Sequence, residues 1–359
     1  MGFYIIRRLL TMIPILLSVL IITFIFARVA PSDPCSGMLG PKATPEICDR
    51  FIKAKGLDKP IPVQFVYYLK DVIRGDFGNS VRFNRPVIQI LAERLPATIE
   101  LSLMAFSIAV AIGIPIGIIS AIYRNSPIDV TALIGTNIGV SMPAFWLGLI
   151  LMYIFALLLK DTPFQLPPLG RLSAGVRTVP FYEVYGLTVA KGSAWLVVFD
   201  FLSNLYIFNS ILTLDFKALG DTIKHLILPA VTLSIIPLAI IGRMTRYSLL
   251  EELELDYIRT ARAKGLGRHV AIVKHGFRNA LLPIVTIMGL QISALLSGAV
   301  LAETIFSFPG LGRMLVESIV VHDYPVVQAI ILVIAVIYVM ANLIVEITYG
   351  ILDPRIRMK

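Results

Sequence analysis

Apolar residues gather in six long stretches of the chain, at 9–27, 98–122, 132–159, 226–244, 281–301 and 326–351. A helix needs about 20 mostly apolar residues to cross the hydrocarbon core of a bilayer. Each stretch therefore predicts one membrane-spanning helix. The first follows Arg7 and Arg8. Its apolar run is too long for a secretory signal, and no small-x-small cleavage site follows it, so a retained anchor is expected. Pro115, Pro143, Pro229 and Pro237 fall inside these stretches. In a soluble helix each would cost about 3 kcal/mol. Inside a membrane bundle, neighbouring helices or cavity water satisfy the freed backbone.

A seventh stretch, 194–214, is long enough to span but contains Asp200, Asn204 and Asn209. An aspartate at mid-span costs roughly 2.5–3.5 kcal/mol on the insertion scale. It is placed outside the bilayer core, as an external amphipathic or re-entrant segment. Charge supports the same count. With six spans, both termini lie on one side with the stretch 243–278, which holds Arg243, Arg246, Arg259, Arg262, Lys264, Arg268, Lys274 and Arg278. Arg355, Arg357 and Lys359 in the tail join them, whereas 303–324 across the membrane has only Arg313. Lysine and arginine mark cytoplasmic loops, so both termini are predicted cytoplasmic. The basic loop 28–94 is long enough to escape that rule, which weakens beyond about 60 residues.

The predicted organisation is an N-terminal region 1–97, a core 98–302 and a C-terminal region 303–359. Region 1–97 carries the first span and an external cap. Within the cap, Val63, Phe65, Val66, Leu69 and Val72 recur at helical spacing before Gly75 and Gly78. The core carries four spans, an external insertion at 160–225 and a polar loop at 245–280. Pro163, Pro167, Pro168 and Gly170 open the insertion with a loop signature. Cap and insertion together could form a vestibule on the outside. Cys35 and Cys48 both fall in the cap. Outside the cytosol disulfides persist, and closing a loop of about 14 residues would constrain the unfolded chain by roughly 3 kcal/mol. A bond between them is expected.

Composition sharpens this reading. The chain is 57% hydrophobic and only 15% charged, which excludes a soluble globular enzyme and a disordered protein. The net charge of +9 is read as inner-membrane loop bias and not as a nucleic-acid footprint. Four histidines occur with no HExxH, and neither a phosphate-binding loop nor a GxSxG elbow is present. Neither a metal site nor a catalytic site is expected. An intramembrane protease would need paired acids or a Ser/His pair within the spans. A secondary transporter would show inverted repeats and midplane charges.

The polar run Asp256-Tyr-Ile-Arg-Thr-Ala-Arg-Ala-Lys-Gly265 differs from its surroundings. Acidic residues lead into it and basic residues trail, which suits a helix dipole, and Gly265 is a natural helix stop. By physics alone it is either a docking helix or a solvated amphipathic one. With Arg278-Asn-Ala-Leu-Leu-Pro283, this run closely resembles the permease subunits of dipeptide/oligopeptide ABC importers, the DppB/OppB type. The likeness extends along nearly the whole chain, through Gly75-Asp-Phe-Gly-Asn-Ser80, Arg94-Leu-Pro-Ala-Thr98, Ser141-Met-Pro-Ala-Phe-Trp146, Glu303-Thr-Ile-Phe-Ser-Phe-Pro-Gly-Leu-Gly312 and Asp323-Tyr-Pro-Val-Val327.

The resemblance implies an all-α integral membrane protein with the type I ABC importer permease fold. It also implies that Asp256, Tyr257, Arg259, Thr260, Ala261, Arg262, Ala263, Lys264 and Gly265 form a coupling helix seated in a cleft of an ATPase. The implied partners are a second homologous permease (DppC/OppC type), two ABC ATPase subunits, an extracytoplasmic substrate-binding protein and membrane lipid. ATP and Mg would bind the partner ATPases, leaving this chain without a cofactor and without chemistry of its own. The chain would lie in a bacterial or archaeal cytoplasmic membrane. It departs from the general pattern of the coupling loop at Arg259, where a glutamate is usual, and in the longer spacing from Gly265 to Pro283. Relatives carry dipeptides, longer peptides, glutathione, nickel complexes or oligosaccharides. For the translocation pathway the candidates are Ser141, Met142, Pro143, Phe145, Trp146, Gln291 and Ser293, polar or small groups inside spans. Glu303 and Glu317 are expected to be solvated on the outer face; Glu346 is either a buried partner of an arginine or, as the favoured reading, an interfacial anchor of the last span. A reporter active only outside the cytosol, fused at residue 65, is expected to be active; silence there would overturn the predicted topology.

Overall fold

The computed structural model describes residues 2–29, 44–54, 58–187 and 193–352. Among these, regular structure is helical apart from one isolated β-bridge between Asn79 and Pro86. In chain order the helices are α1 (Gly2–Val29), α2 (Pro45–Ala54), α3 (Ile61–Ile73), α4 (Val87–Ile122), α5 (Pro127–Ser141), α6 (Ala144–Met152, ending in a π turn over Tyr153–Leu158), α7 (Phe181–Val184), α8 (Ala194–Ser203) and α9 (Tyr206–Leu212). Then follow α10 (Phe216–Glu254), α11 (Asp256–Ala263), α12 (Arg268–Val270, running through a π turn over Ala271–Phe277), α13 (Arg278–Gly298), α14 (Val300–Ile305), α15 (Leu311–Val320) and α16 (Tyr324–Leu352).

Five helical stretches are long and apolar enough to cross a membrane: Arg7–Phe26, Val87–Ile122, Phe216–Glu254, Arg268–Ile305 and Tyr324–Thr348. Two sharply bent pairs, Pro127–Ser141 with Ala144–Leu158 and Trp195–Ser203 with Tyr206–Leu212, raise the number to as many as seven. The helices outrun the apolar stretches that predicted them, because their polar ends continue the same backbone ladder beyond the greasy core. The expected continuous span at 132–159 is instead two helices meeting at 100°. Pro143 has no backbone N–H to donate, and the residue before a proline is steered away from the helical region. Met142 accordingly lies extended, at φ −83° and ψ 125°.

The two longest helices, α4 and α10, cross at the centre. Gly113 and Gly117 sit one turn apart on α4 and face Gly242 of α10. A Cβ at Gly117 would come within 2.5 Å of the Gly242 carbonyl, and one at Gly113 within 2.9 Å of the Leu238 carbonyl. Small residues at this spacing let membrane helix backbones approach and gain dispersion energy that lipid alone does not provide. α13 packs on α10 on one side and on α16 on the other, with Gly289 pressed against Val345. α1 joins last, along α16, where Gln328 donates to the Thr23 carbonyl at 2.9 Å. Arg8 and Glu346 close that contact with an ion pair at 3.0 Å, so Glu346 pairs with an arginine, the less favoured of its two readings, although the pair is part-exposed and not buried.

Three deeply buried carboxylates organise the end of the bundle where α4 begins. Glu303 is fully buried, contrary to its expected solvation. It accepts from the Thr98 hydroxyl at 2.7 Å and from the Arg313 backbone N–H at 3.0 Å. Gly310 makes room, since a Cβ there would collide with the Glu303 carboxylate. Asp323 accepts from the Ser80 hydroxyl at 2.5 Å and the Arg82 N–H at 3.2 Å. Glu100 is paired with Arg171 at 2.5 Å and accepts from the Ile207 N–H at 2.6 Å. Glu317 is only half-exposed and bridges Arg82 and Arg313. The helical repeat predicted in the cap is α3, none of whose residues is buried; it rests on α1 through Phe65 and Tyr68 against Phe24.

Replacing Gly117 by leucine is expected to destabilise the bundle by about 1–3 kcal/mol or more through overpacking. The readouts are a lower Tm in detergent and a reduced monodisperse yield. Gly220→Ala, at a position where a Cβ meets nothing within 4 Å, should leave both unchanged.

Candidate functional site

The run singled out in the sequence forms α11, an eight-residue helix between α10 and the π turn at 271–277. Leu255 breaks the backbone into the extended region at φ −73° and ψ 147°, which separates α11 from α10. The other end closes with a left-handed Gly265 at φ +86°. Its N–H donates to the Arg262 carbonyl at 3.0 Å, and the Leu266 N–H reaches back to the Ala261 carbonyl at 3.2 Å. This double bond pattern is a glycine-terminated helix stop that satisfies two orphan carbonyls. The space around Gly265 is open, so its requirement within this chain is backbone conformation, not packing.

α11 is held by one face. Ile258 is buried at 4% exposure and Tyr257 is half-buried. The Tyr257 hydroxyl donates to Glu252 at the end of α10 and accepts from Asn279 Nδ2 at 3.0 Å at the start of α13. The His275 carbonyl lies 3.4 Å away. Burial, and then the neighbouring Glu252 carboxylate, pushes the Tyr257 phenol up to about 12. It therefore keeps its proton, and its role as donor, throughout the physiological range. One side chain thus bonds α11 to both α10 and α13.

The opposite face is open: Asp256, Arg259, Thr260, Arg262, Ala263, Lys264 and Gly265 are all exposed, and Ala261 is half-exposed. Arg259 meets Asp256 at 3.3 Å, but both side chains are largely in solvent. Such an exposed pair is worth at most about 1 kcal/mol and yields readily to a partner's carboxylate.

Beneath the helix lies an apolar cluster of Ala121, Leu249, Ile272, Ala280 and Ile284. Beside it, α5 is pinned to α10 by a buried ion pair. Arg246 holds Asp129 through two bonds of 2.7 Å. Asp129 also accepts from the Ser120 hydroxyl and, at 2.9 Å, from the Asn125 N–H. The sequence reading gave Arg246 only a part in orienting the chain and passed over Asp129, although a lone acid between two apolar stretches was a visible signal.

The pathway candidates divide. Ser141, Met142, Pro143, Phe145 and Trp146 line one open cavity of about 640 Å³ around the α5–α6 break, together with Asn137. Gln291 lines a second, apolar cavity of about 260 Å³ with Thr232, Pro237 and Ala144. Both are lined by residues at the break, Pro143 on the first and Ala144 on the second, but they share no lining residue. Ser293 lines neither. It is fully buried, donates to the Gly289 carbonyl at 2.9 Å and lies 3.3 Å from Asn342 on α16, a helix-packing position. Cys48 sits half-buried on α2, while Cys35, its expected disulfide partner, lies outside the described residues, as do Arg355, Arg357 and Lys359. Among the described residues, no group of three His, Cys, Asp or Glu could hold a metal ion.

The geometry is a multi-span helical bundle with cavities beside a broken span and a short exposed helix, α11, between two spans. Residues 113–358 match the family described as binding-protein-dependent transport system inner membrane component, and residues 1–102 match the N-terminal family of the same systems. The chain belongs to this family. It is 42% identical to the dipeptide transport system permease protein DppB of Alkalihalophilus pseudofirmus and 40% identical to DppB of Escherichia coli K12, over 99% of each chain. It is 39% identical, with the same coverage, to the oligopeptide transport system permease protein AppB of Bacillus subtilis.

Removing one partner of the buried pair, as in Asp129→Ala, is expected to cost about 3–5 kcal/mol by stranding a buried guanidinium. A lower Tm in detergent would register it. The double change Asp129→Leu with Arg246→Met should recover most of the loss, since an apolar pair of similar volume replaces both charges.

Proposed function

We propose that the chain is one permease subunit of an ATP-driven importer that moves di- and oligopeptides from an extracytoplasmic binding protein into the cell. The observation that carries the coupling role is α11: an exposed, pre-formed helix bonded through Tyr257 to both α10 and α13. The names of the relatives, dipeptide and oligopeptide permeases, support the cargo. A second, homologous permease completes the pathway, and two ATPase subunits bind ATP and Mg on the cytoplasmic side. The absence of a phosphate-binding loop from the sequence fits this division of labour.

In this reading six spans cross a bacterial inner membrane with both termini cytoplasmic, the α5–α6 pair counting as one span and the 195–212 pair as none. The basic stretch 243–278 supports that orientation. A Cys35–Cys48 disulfide would then sit in the external cap.

The mechanism follows from the joints. Closure of the ATPase dimer displaces α11. Ile258 and Tyr257 pass the displacement to α10 and α13, which carry Pro237 and Gln291 at the wall of the smaller cavity. The Asp129–Arg246 pair makes α5 follow α10. The break after Met142, whose N–H still bonds Ile138 but beyond which Pro143 has no N–H to continue the ladder, lets the cavity-lining residues turn relative to α5. ATP drives this exchange only if the two ATPase states contact α11 differently. Arg259 and Arg262 supply charge contacts to the ATPase, and Ala261 and Gly265 permit close approach.

In vesicles holding the assembled transporter, Ala261→Trp is expected to lower peptide uptake and substrate-stimulated ATP hydrolysis together by about tenfold. That corresponds to roughly 1.4 kcal/mol of lost docking. Gly265→Val should do the same by unwinding the helix end. Full coupling in both variants would overturn the assignment of α11.

A further inference from the structure

The hairpin at 195–212 has the polarity of a water-exposed helix turned inside out. Its polar groups look inward. Asp200 accepts from the Tyr182 hydroxyl at 2.6 Å. Asn209 accepts from the Phe181 N–H at 2.8 Å and donates to the Val179 carbonyl at 2.9 Å. Ser203 and Ser210 are buried. Its outward residues are apolar: Trp195 is 67% exposed, Val197 59%, Val198 45%, Phe208 41% and Ile211 54%. The sequence holds no lysine or arginine between Lys191 and Lys217. A surface facing water would show the reverse arrangement.

The backbone at the bend is treated as lipid requires. The two arms meet at 96°, which interrupts the helical ladder at Asn204 and Leu205. A broken helix at membrane depth survives only where protein satisfies the freed groups. Here the Asn204 carbonyl accepts from Arg171, and the Ile207 N–H donates to Glu100. The buried Glu100–Arg171 pair is thus positioned at the break itself. Length sets the depth. The ten residues of α8 span about 15 Å at 1.5 Å per residue, half of a hydrocarbon core about 30 Å thick. Both arms are also tied to one segment, α8 through Tyr182 and α9 through Phe181 and the Tyr185 hydroxyl on the Leu212 carbonyl. Residues 181–185 thus hold both arms and the far end at Leu212, so the chain turns back beside this segment. α8 packs on α4 and α9 on α10, so the apolar face continues the lipid-facing exterior of two spans.

We propose that 195–212 is a re-entrant hairpin seated in the outer leaflet of the bilayer, its exposed apolar residues in contact with acyl chains. The side of the membrane rests on the six-span reading above; the immersion rests on the polarity and the bend alone.

The test is site-directed nitroxide labelling of Val198→Cys and Ile211→Cys in the assembled transporter in phosphatidylcholine nanodiscs, with the unsubstituted chain as background and Asp161→Cys as the water-exposed reference. Collisions with oxygen are expected to exceed those with a nickel chelate several-fold at both sites, at similar depths in one leaflet. Dominant nickel access would mean water, and low access to both reagents would mean protein cover; either overturns the proposal and leaves the span count intact. Depths in opposite leaflets would mean a crossing span and overturn both. As a second measurement, acyl-brominated phosphatidylcholine should quench tryptophan emission less in Trp195→Phe than in the parent transporter. Equal quenching counts against the proposal.

Discussion

The approach of two backbones at Gly113, Gly117 and Gly242 is the constraint on which the rest of the molecule depends. In lipid, burying apolar side chains between helices gains little over leaving them in acyl chains, so association rests on close contact and on polar pairing. α4 and α10 supply both. Glycines bring them together in the C-terminal third of each helix, and each also carries a group of a buried ion pair, Glu100 on α4 and Arg246 on α10. α13, α16 and α1 then add outward in layers, and α5 is clamped across the side.

Polar pairing also explains why scattered short motifs coincide in one chain. Ser80, Thr98, Glu303, Leu311 and Asp323 lie far apart in sequence but form two adjoining hydrogen-bonded clips. The Thr98 hydroxyl gives its proton to Glu303 and accepts the Leu311 N–H at 2.8 Å. A buried carboxylate is tolerable only with such donors. Each clip therefore constrains a hydroxyl, an acid and a loop geometry at once, and the loops at that end of the bundle are shaped by them.

Much of the architecture was legible in the sequence because the membrane leaves a strong periodic signal: every long helix was anticipated by its apolar run. What the pattern could not supply was partnership. Glu303 looks like a surface acid until Thr98, some two hundred positions away, is folded against it. Glu346 could be read as an anchor or as the partner of an arginine, and only the fold shows that the arginine is Arg8. Ser293 reads as a pathway hydroxyl, yet it serves the seam between α13 and α16. The break in 132–159 was encoded by Pro143, but proline inside membrane helices is often absorbed, as at Pro96, Pro115, Pro229 and Pro237, which all lie within continuous helices. As a local structure, α11 was the most readable element, because its polarity and glycine stop are local properties.

The left-handed turn at Gly265 has a thermodynamic meaning for the whole assembly. A short helix in isolation is marginal, because nucleation is unfavourable. Here its stop, its buried Ile258 and its tyrosine bond fix the fold before any partner arrives. Under the coupling role proposed above, docking would therefore lose little conformational entropy. Any difference between nucleotide states would then lie in the shape of the receiving cleft and not in the ordering of α11.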